Sequence, residues 1–309
     1  RNKNCIKKIV LVSILFTGSQ CFAAKIKMEE VRANNQLDSF LYSDSDSVDL
    51  PAEYFVEQVK EKYEAVLNLV NQKKYLQAKE KLEILLKESP KQSVFHNLQA
   101  ILYITDNNIT EAKKSFQKAI ELNPNNIQAY TALAKLALGN EQPEKAKQYA
   151  NQALKITPHA LNAYKVLADV AMKQHSINKA EEVLLKANEE VKGNFYSELE
   201  VLKLLAKVYA NKKQPQILVD LVTDLVKRYP KEIEAQSALA SVQLVSLDVR
   251  GAEQTLRHII SQQPKDAKHL FLLARLLGNK PGQETEVLAL LDKAALNLER
   301  PALVIAYKT

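Results

Sequence analysis

Glu111-Ala112-Lys113-Lys114-Ser115-Phe116-Gln117-Lys118-Ala119-Ile120-Glu121-Leu122-Asn123-Pro124 decides the fold. Ala112, Phe116 and Ala119 recur at helical spacing and make one inward stripe, with lysines and glutamates on the opposite face. Pro124 ends the helix, because it lacks an N–H and disfavours helical geometry in the residue before it. The step from Ala112 to that proline is repeated from Ala78 to Pro90, from Ala146 to Pro158 and from Ala252 to Pro264. Pro90, Pro124 and Pro158 are evenly spaced, and Pro230 and Pro264 stand apart by the same step. The gap from Pro158 to Pro230 is close to twice as long. A period of about 34 residues closed by proline predicts a helix-turn-helix array, in which each unit packs on its neighbours and no single core exists.

The preceding helices carry large-small pairs at matching positions: Leu133-Ala134, Leu167-Ala168, Leu205-Ala206 and Leu239-Ala240. Together these residues resemble the tetratricopeptide repeat family over about residues 59 to 301. The resemblance implies an all-α solenoid, a right-handed superhelix of antiparallel helix pairs. The repeats fall at about 59–92, 93–126, 127–160, 161–194, 199–232, 233–266 and 268–301. Families with units of about 40–47 residues fit the spacing worse.

The sequence departs from the family pattern in places. Tyr130 and Tyr164 occupy the usual Trp slot, and Ala replaces the usual Gly. Repeat four ends in Lys192-Gly193-Asn194 with no proline, and Phe195-Tyr196-Ser197-Glu198 is a four-residue insertion predicted to add a turn to the next helix. Leu218 and Val287 fill slots where Ala is expected, which predicts splayed helix pairs there.

Residues 1–23 read as a secretory signal peptide: Arg1, Lys3, Lys7 and Lys8, an apolar run from Ile9 to Phe16, then small residues ending at Ala23. The run falls short of the ~20 residues that span a bilayer. The net charge of +7 is therefore partly an export feature, and global charge makes no case for nucleic acid. Both cysteines, Cys5 and Cys21, lie in this segment, so the mature chain has no thiol chemistry. Cys21 raises lipidation as a minor alternative, although Gln20 fits that processing poorly. The expected location is the periplasm or envelope of a Gram-negative bacterium.

Residues 24–50 form an acidic leader. Its Asp44-Ser45-Asp46-Ser47-Val48-Asp49 run lacks the Gly and Glu of a calcium loop. Pro51 opens the array, which runs to residue 309 and is predicted to continue beyond it, since no polar capping helix closes it.

The residues present no catalytic set, cofactor site or metal site. His96, His159, His175, His258 and His269 lack metal-ligand spacing. There is no phosphate loop, nucleophile elbow or zincin helix. The predicted function is non-enzymatic.

In the tetratricopeptide architecture, positions 2, 5, 9 and 13 of each first helix line the concave face. These are Gln128, Thr131 and Lys135 in repeat three; Asn162, Lys165, Asp169 and Lys173 in repeat four; and Glu200, Lys203, Lys207 and Asn211 in repeat five. They make a mildly basic, hydrogen-bonding stripe suited to carboxylates, whether of a peptide or of an acidic sugar polymer. Being exposed lysines in a Lys-rich protein is the plain alternative. Ser237, Ser241, Leu272 and Leu276 give repeats six and seven a more apolar groove. Tyr63 and Leu67 stand where a chaperone-type carboxylate clamp needs Lys and Asn, so that activity is not implied.

The run Asn126-Ile127-Gln128-Ala129-Tyr130-Thr131-Ala132-Leu133-Ala134-Lys135-Leu136-Ala137 also resembles repeat proteins of exopolysaccharide-export and PEP-CTERM sorting systems. That resemblance implies an exported scaffold for envelope assembly. A pilus or outer-membrane assembly factor and a direct binder of anionic polysaccharide are the alternatives.

Overall fold

Lys73, Asn107, Glu141, His175, Lys213 and Leu247 punctuate the computed structural model, each with φ between 56° and 63°. They recur at the same step as the prolines, except for a longer one from His175 to Lys213 that absorbs the four-residue insertion. In every case the next residue donates its N–H to the carbonyl five back, as Asn108 does to Tyr103 at 2.8 Å and Asp248 to Gln243 at 2.9 Å. This is the left-handed helix stop that satisfies otherwise orphaned carbonyls. It turns the chain back sharply, so the two flanking helices pack side by side as a pair.

The structure describes residues 57–278 and 280–297. The expected signal segment, Cys21, the acidic leader, Pro51 and Pro301 lie outside them. Among the described residues every regular element is a helix, and the chain falls into two units. The first holds α1 (Glu57–Asn71), α2 (Tyr75–Glu88), α3 (Ser93–Thr105), α4 (Ile109–Leu122), α5 (Ile127–Gly139), α6 (Pro143–Ile156), α7 (Leu161–Lys173) and α8 (Ile177–Glu190). The second begins at Gly193 and holds α9 (Phe195–Lys212), α10 (Gln216–Arg228), α11 (Ile233–Val245), α12 (Val249–Gln262), α13 (Ala267–Leu277) and α14 (Glu284–Leu296). The inserted Phe195–Glu198 forms the first turn of α9, which reaches 18 residues. No described helix is long and apolar enough to cross a membrane.

The repeat-defining alanines are where helices of a pair meet. Ala78, Ala112, Ala146, Ala180 and Ala252 are completely buried. Ala78 and Ala112 share one core with Val66, Leu82, Phe95, Leu98 and Phe116, Ala146 shares another with Ala134, Ala150 and Val166, and the second unit has a core built on Leu256, Leu270, Leu273 and Leu291. Leu218 fills its small slot and is buried, and the α9–α10 pair there is packed more sparsely than α3–α4 or α5–α6. Val287 does not have that effect, because α13 and α14 pack as closely as the Ala-slotted pairs α7–α8 and α11–α12. The half-buried Val287 lies at the edge of the contact, while Leu290, Leu291 and Ala294 fill it. Asn108, Asn126, Asn194, Asp248 and Asp266 cap helices by accepting an N–H three residues on.

Candidate interaction groove

The first helices α1, α3 and α5 carry a polar seam across three repeats. Asn97 of α3, almost wholly buried, donates from Nδ2 to Oδ1 of Asn126 at 3.0 Å and to Oε1 of Gln128 at 3.2 Å. Asn126 caps α5 by accepting the Ala129 amide at 2.9 Å, and its Nδ2 donates to the Ser93 hydroxyl at 2.5 Å. Ser93 in turn donates to the Ala119 carbonyl at 2.9 Å. Gln128 also hydrogen-bonds Tyr63 of α1, whose phenol is raised above its ordinary pKa by burial, with the Gln128 contact opposing. The Asn97 Nδ2 is paired across the repeat boundary while its Oδ1 is buried with no partner among the described residues, so the seam's pairing through Nδ2 fixes how consecutive repeats register.

Around this seam the expected stripe divides. Gln128 is half-buried and in the seam. Thr131 departs from an open groove position: it is buried, and its hydroxyl bonds back to the Ile127 and Gln128 carbonyls at 3.0 Å each. Lys135, Asn162 and Lys165 are half-buried, whereas Asp169 and Lys173 are exposed. Lys135, Lys165 and Asp169 engage neighbours, and Lys173 Nζ donates to the Leu138 carbonyl of the preceding repeat at 3.3 Å.

In the second unit Glu200 and Lys203 sit one turn apart with 3.6 Å between charged atoms, which offsets part of the basic character. Lys207 is exposed, and Asn211 turns its amide back to the Lys207 carbonyl at 2.9 Å. The stripe therefore falls into two sets, Gln128 to Lys173 in the first unit and Glu200 to Asn211 in the second, each ordered within its own unit.

Two constellations were not visible in the sequence. Glu198, from the insertion, is fully buried; its Oε1 accepts from Arg228 Nη1 at 2.6 Å, the Gly193 amide at 2.8 Å and the Tyr229 hydroxyl at 3.0 Å. The contact with Glu198 raises the Arg228 pKa and keeps the guanidinium charged. The second is a polar relay, Ser237 to His269 to Asp266, at the start of the last two first helices. The signal that finds it is positional: position 5 of one repeat faces position 2 of the next, as Asn97 and Gln128 do in the first unit. Among the described residues no group of three or more His, Cys, Asp or Glu is placed to hold a metal ion.

Tightly turned helix pairs repeated at one step, lengthened once by the insertion, with a small residue at most crossings, define a helical-repeat scaffold. Two tetratricopeptide-repeat family models match residues 93–126 and 115–148. Residues 93–148 are thus matched as tetratricopeptide repeats, and the helix-pair fold on either side of them is of the same kind. Among solved structures, PilW, a widely conserved type IV pilus biogenesis factor, superposes with a TM-score of 0.50 at 16% identity, covering 71% of this chain and 100% of PilW. YrrB, a tetratricopeptide protein with an unusual peptide-binding site, gives 0.44 at 21% identity, over 63% of this chain and 98% of its own. PilF of Pseudomonas aeruginosa gives 0.46 at 18% identity, over 69% and 93%. No curated protein sequence matches the chain.

Proposed function

We propose that this protein is an exported scaffold that holds a protein segment along its first helices during envelope assembly. The coarser part of that reading, a protein-interaction scaffold, follows from the family and fold. The observation that supports a binding role is the arrangement of polar groups on successive first helices. Gln128, itself held in the hydrogen-bonded seam, and Asn162 and Lys165 of the next repeat carry amide and ammonium groups on neighbouring first helices. A peptide running across repeats meets a new donor at each step, and a carboxylate-rich segment also meets favourable charge.

Export rests on the sequence: the basic start, the short apolar run and the small residues before Ala24. Work in exopolysaccharide export or in PEP-CTERM sorting is the finer reading, carried by the local resemblance alone. Type IV pilus assembly is the second reading, favoured by the fold shared with PilW. An acidic polysaccharide as the direct ligand is the third, and Lys165, Lys203 and Lys207 are the groups that would meet it. Lipid attachment at Cys21 would tether the same scaffold to a membrane.

Expression of the chain with its N-terminal segment intact in a Gram-negative host, followed by fractionation and N-terminal mass mapping, tests export. The expected product is a periplasmic chain starting at Ala24. A cytoplasmic chain retaining that segment contradicts export and leaves the scaffold reading to be judged by partner capture.

A further inference from the structure

The relay in repeats six and seven is ordered from its acid outward. Asp266 caps α13: Oδ1 accepts the His269 amide at 3.1 Å, and Oδ2 lies 2.6 Å from Nδ1 of the His269 ring. A carboxylate only accepts, so Nδ1 is assigned the hydrogen and Nε2 keeps its lone pair. On that side stands Ser237 of α11, whose Oγ is in hydrogen-bond contact with Nε2 and donates to it. The ring is held in place, with His269 only 4% exposed, while Ser237 is half-buried and so reachable. A cap needs one carboxylate oxygen; here the second sets the tautomer of a base aimed at a hydroxyl. The adjacent positions on α13, Leu272 and Leu276, are apolar and half-buried.

We propose that Ser237 is an activated nucleophile that accepts acyl groups from carboxylic esters, with His269 as its general base and Asp266 as a positioning residue. Ser237 Oγ bonds to the ester carbonyl carbon as its proton passes to His269 Nε2, and Asp266 steadies the imidazolium. The bond to the leaving oxygen then breaks, and His269 returns the proton to the departing alcohol. The product is an ester on Ser237 and a free alcohol, with no change of oxidation state. The Ser237 amide sits inside α11, where it belongs to the helix ladder. It does not serve an oxyanion as a fast hydrolase's does. Acylation therefore proceeds with reactive esters, and hydrolysis of the acyl-serine lags behind it. This activity goes beyond the scaffold reading and does not depend on it.

The full chain is incubated with 4-nitrophenyl acetate and adducts are located by intact mass and peptide mapping, with melting temperature recorded for each variant. A single acetyl group on Ser237 is expected, absent from that peptide in Ser237→Ala. Labelling should fall about 100-fold in His269→Gln. Asp266→Asn keeps a capping side chain but removes the charge, and labelling should fall at least about 10-fold with the fold retained. Acetylation confined to lysines overturns the proposal. So does Ser237 labelling that is unchanged in a folded Asp266→Asn variant, whatever the fate of His269→Gln.

Discussion

Arg228 grips both carboxylate oxygens of Glu198, a side chain with no solvent exposure, from the far end of the neighbouring helix. The pair exists because four inserted residues extend α9 and carry Glu198 inside. Tyr229 packs its ring edge-on against Phe195 of the same insertion, centroids 5.2 Å apart, and adds its hydroxyl to Glu198. Charges taken from water are costly unless they are paired and hydrogen-bonded, and here the Gly193 amide adds a further donor.

Removing one partner alone should therefore be severe. Glu198→Ala is expected to lose about 3 kcal/mol, because it strands a partly buried guanidinium. The double variant Glu198→Leu with Arg228→Met should recover most of that loss. Chemical denaturation of all three chains measures this; equal losses in the single and double variants would contradict it.

The small-residue slots respond in opposite ways to the same pair of residue types. Ala112→Leu should cost about 1–3 kcal/mol by overpacking a fully buried crossing. Leu218→Ala should cost about 2–5 kcal/mol, although it restores the family residue, because Leu218 fills its site and leaves a cavity when truncated. A stabilised Leu218→Ala chain, measured by the same denaturation, would show that α9 and α10 can close up.

Leu247 holds φ 63° with 77% of its surface exposed, so it bears the left-handed cost and gains little from burial. Leu247→Gly should raise stability by about 0.5–1 kcal/mol, since glycine meets that geometry without a Cβ. Thermal melting of the variant reads the gain, and a lower midpoint would refute the turn assignment.

Acid should weaken the last repeats through a carboxylate network. Lys280 and Arg257 hold Glu253 below its ordinary pKa, and Arg257 holds Glu286 below its own with a 2.6 Å contact. Depressed folded values mean stability that is present above the unfolded Glu value of about 4.3 and lost as pH falls through the folded values. Arg257→Met should flatten that acid slope, measurable by melting across the range. An unchanged slope would assign the acid loss to other groups.

The array was legible because a helix pair needs the same small residue and the same stop in every copy, so Ala78, Ala112, Ala146 and Ala252 wrote the period directly. The groove was legible as positions and less so as chemistry. Thr131 and Asn162 share the pattern of groove residues, yet the Thr131 hydroxyl turns to its own helix. Glu200 and Lys203 read as separate charges and meet as a pair. The relay was hidden for a different reason: Ser237 and His269 belong to different repeats, and only the stacking of those repeats brings them together. Glu198 was hidden by the insertion, where the repeat register gives no guide to which side turns inward.

The most direct measurement of the scaffold account is partner capture from an envelope fraction, with the tagged chain compared against a variant carrying Lys165→Glu, Lys203→Glu and Lys207→Glu. A control chain reverses Lys81, Lys186 and Lys227 instead, exposed lysines of second helices, so net charge is matched. The account predicts one or more proteins held by the native chain and the control, and lost from the first-helix variant. Equal capture by all three chains, or capture lost equally in both variants, would contradict a partner held along the first helices.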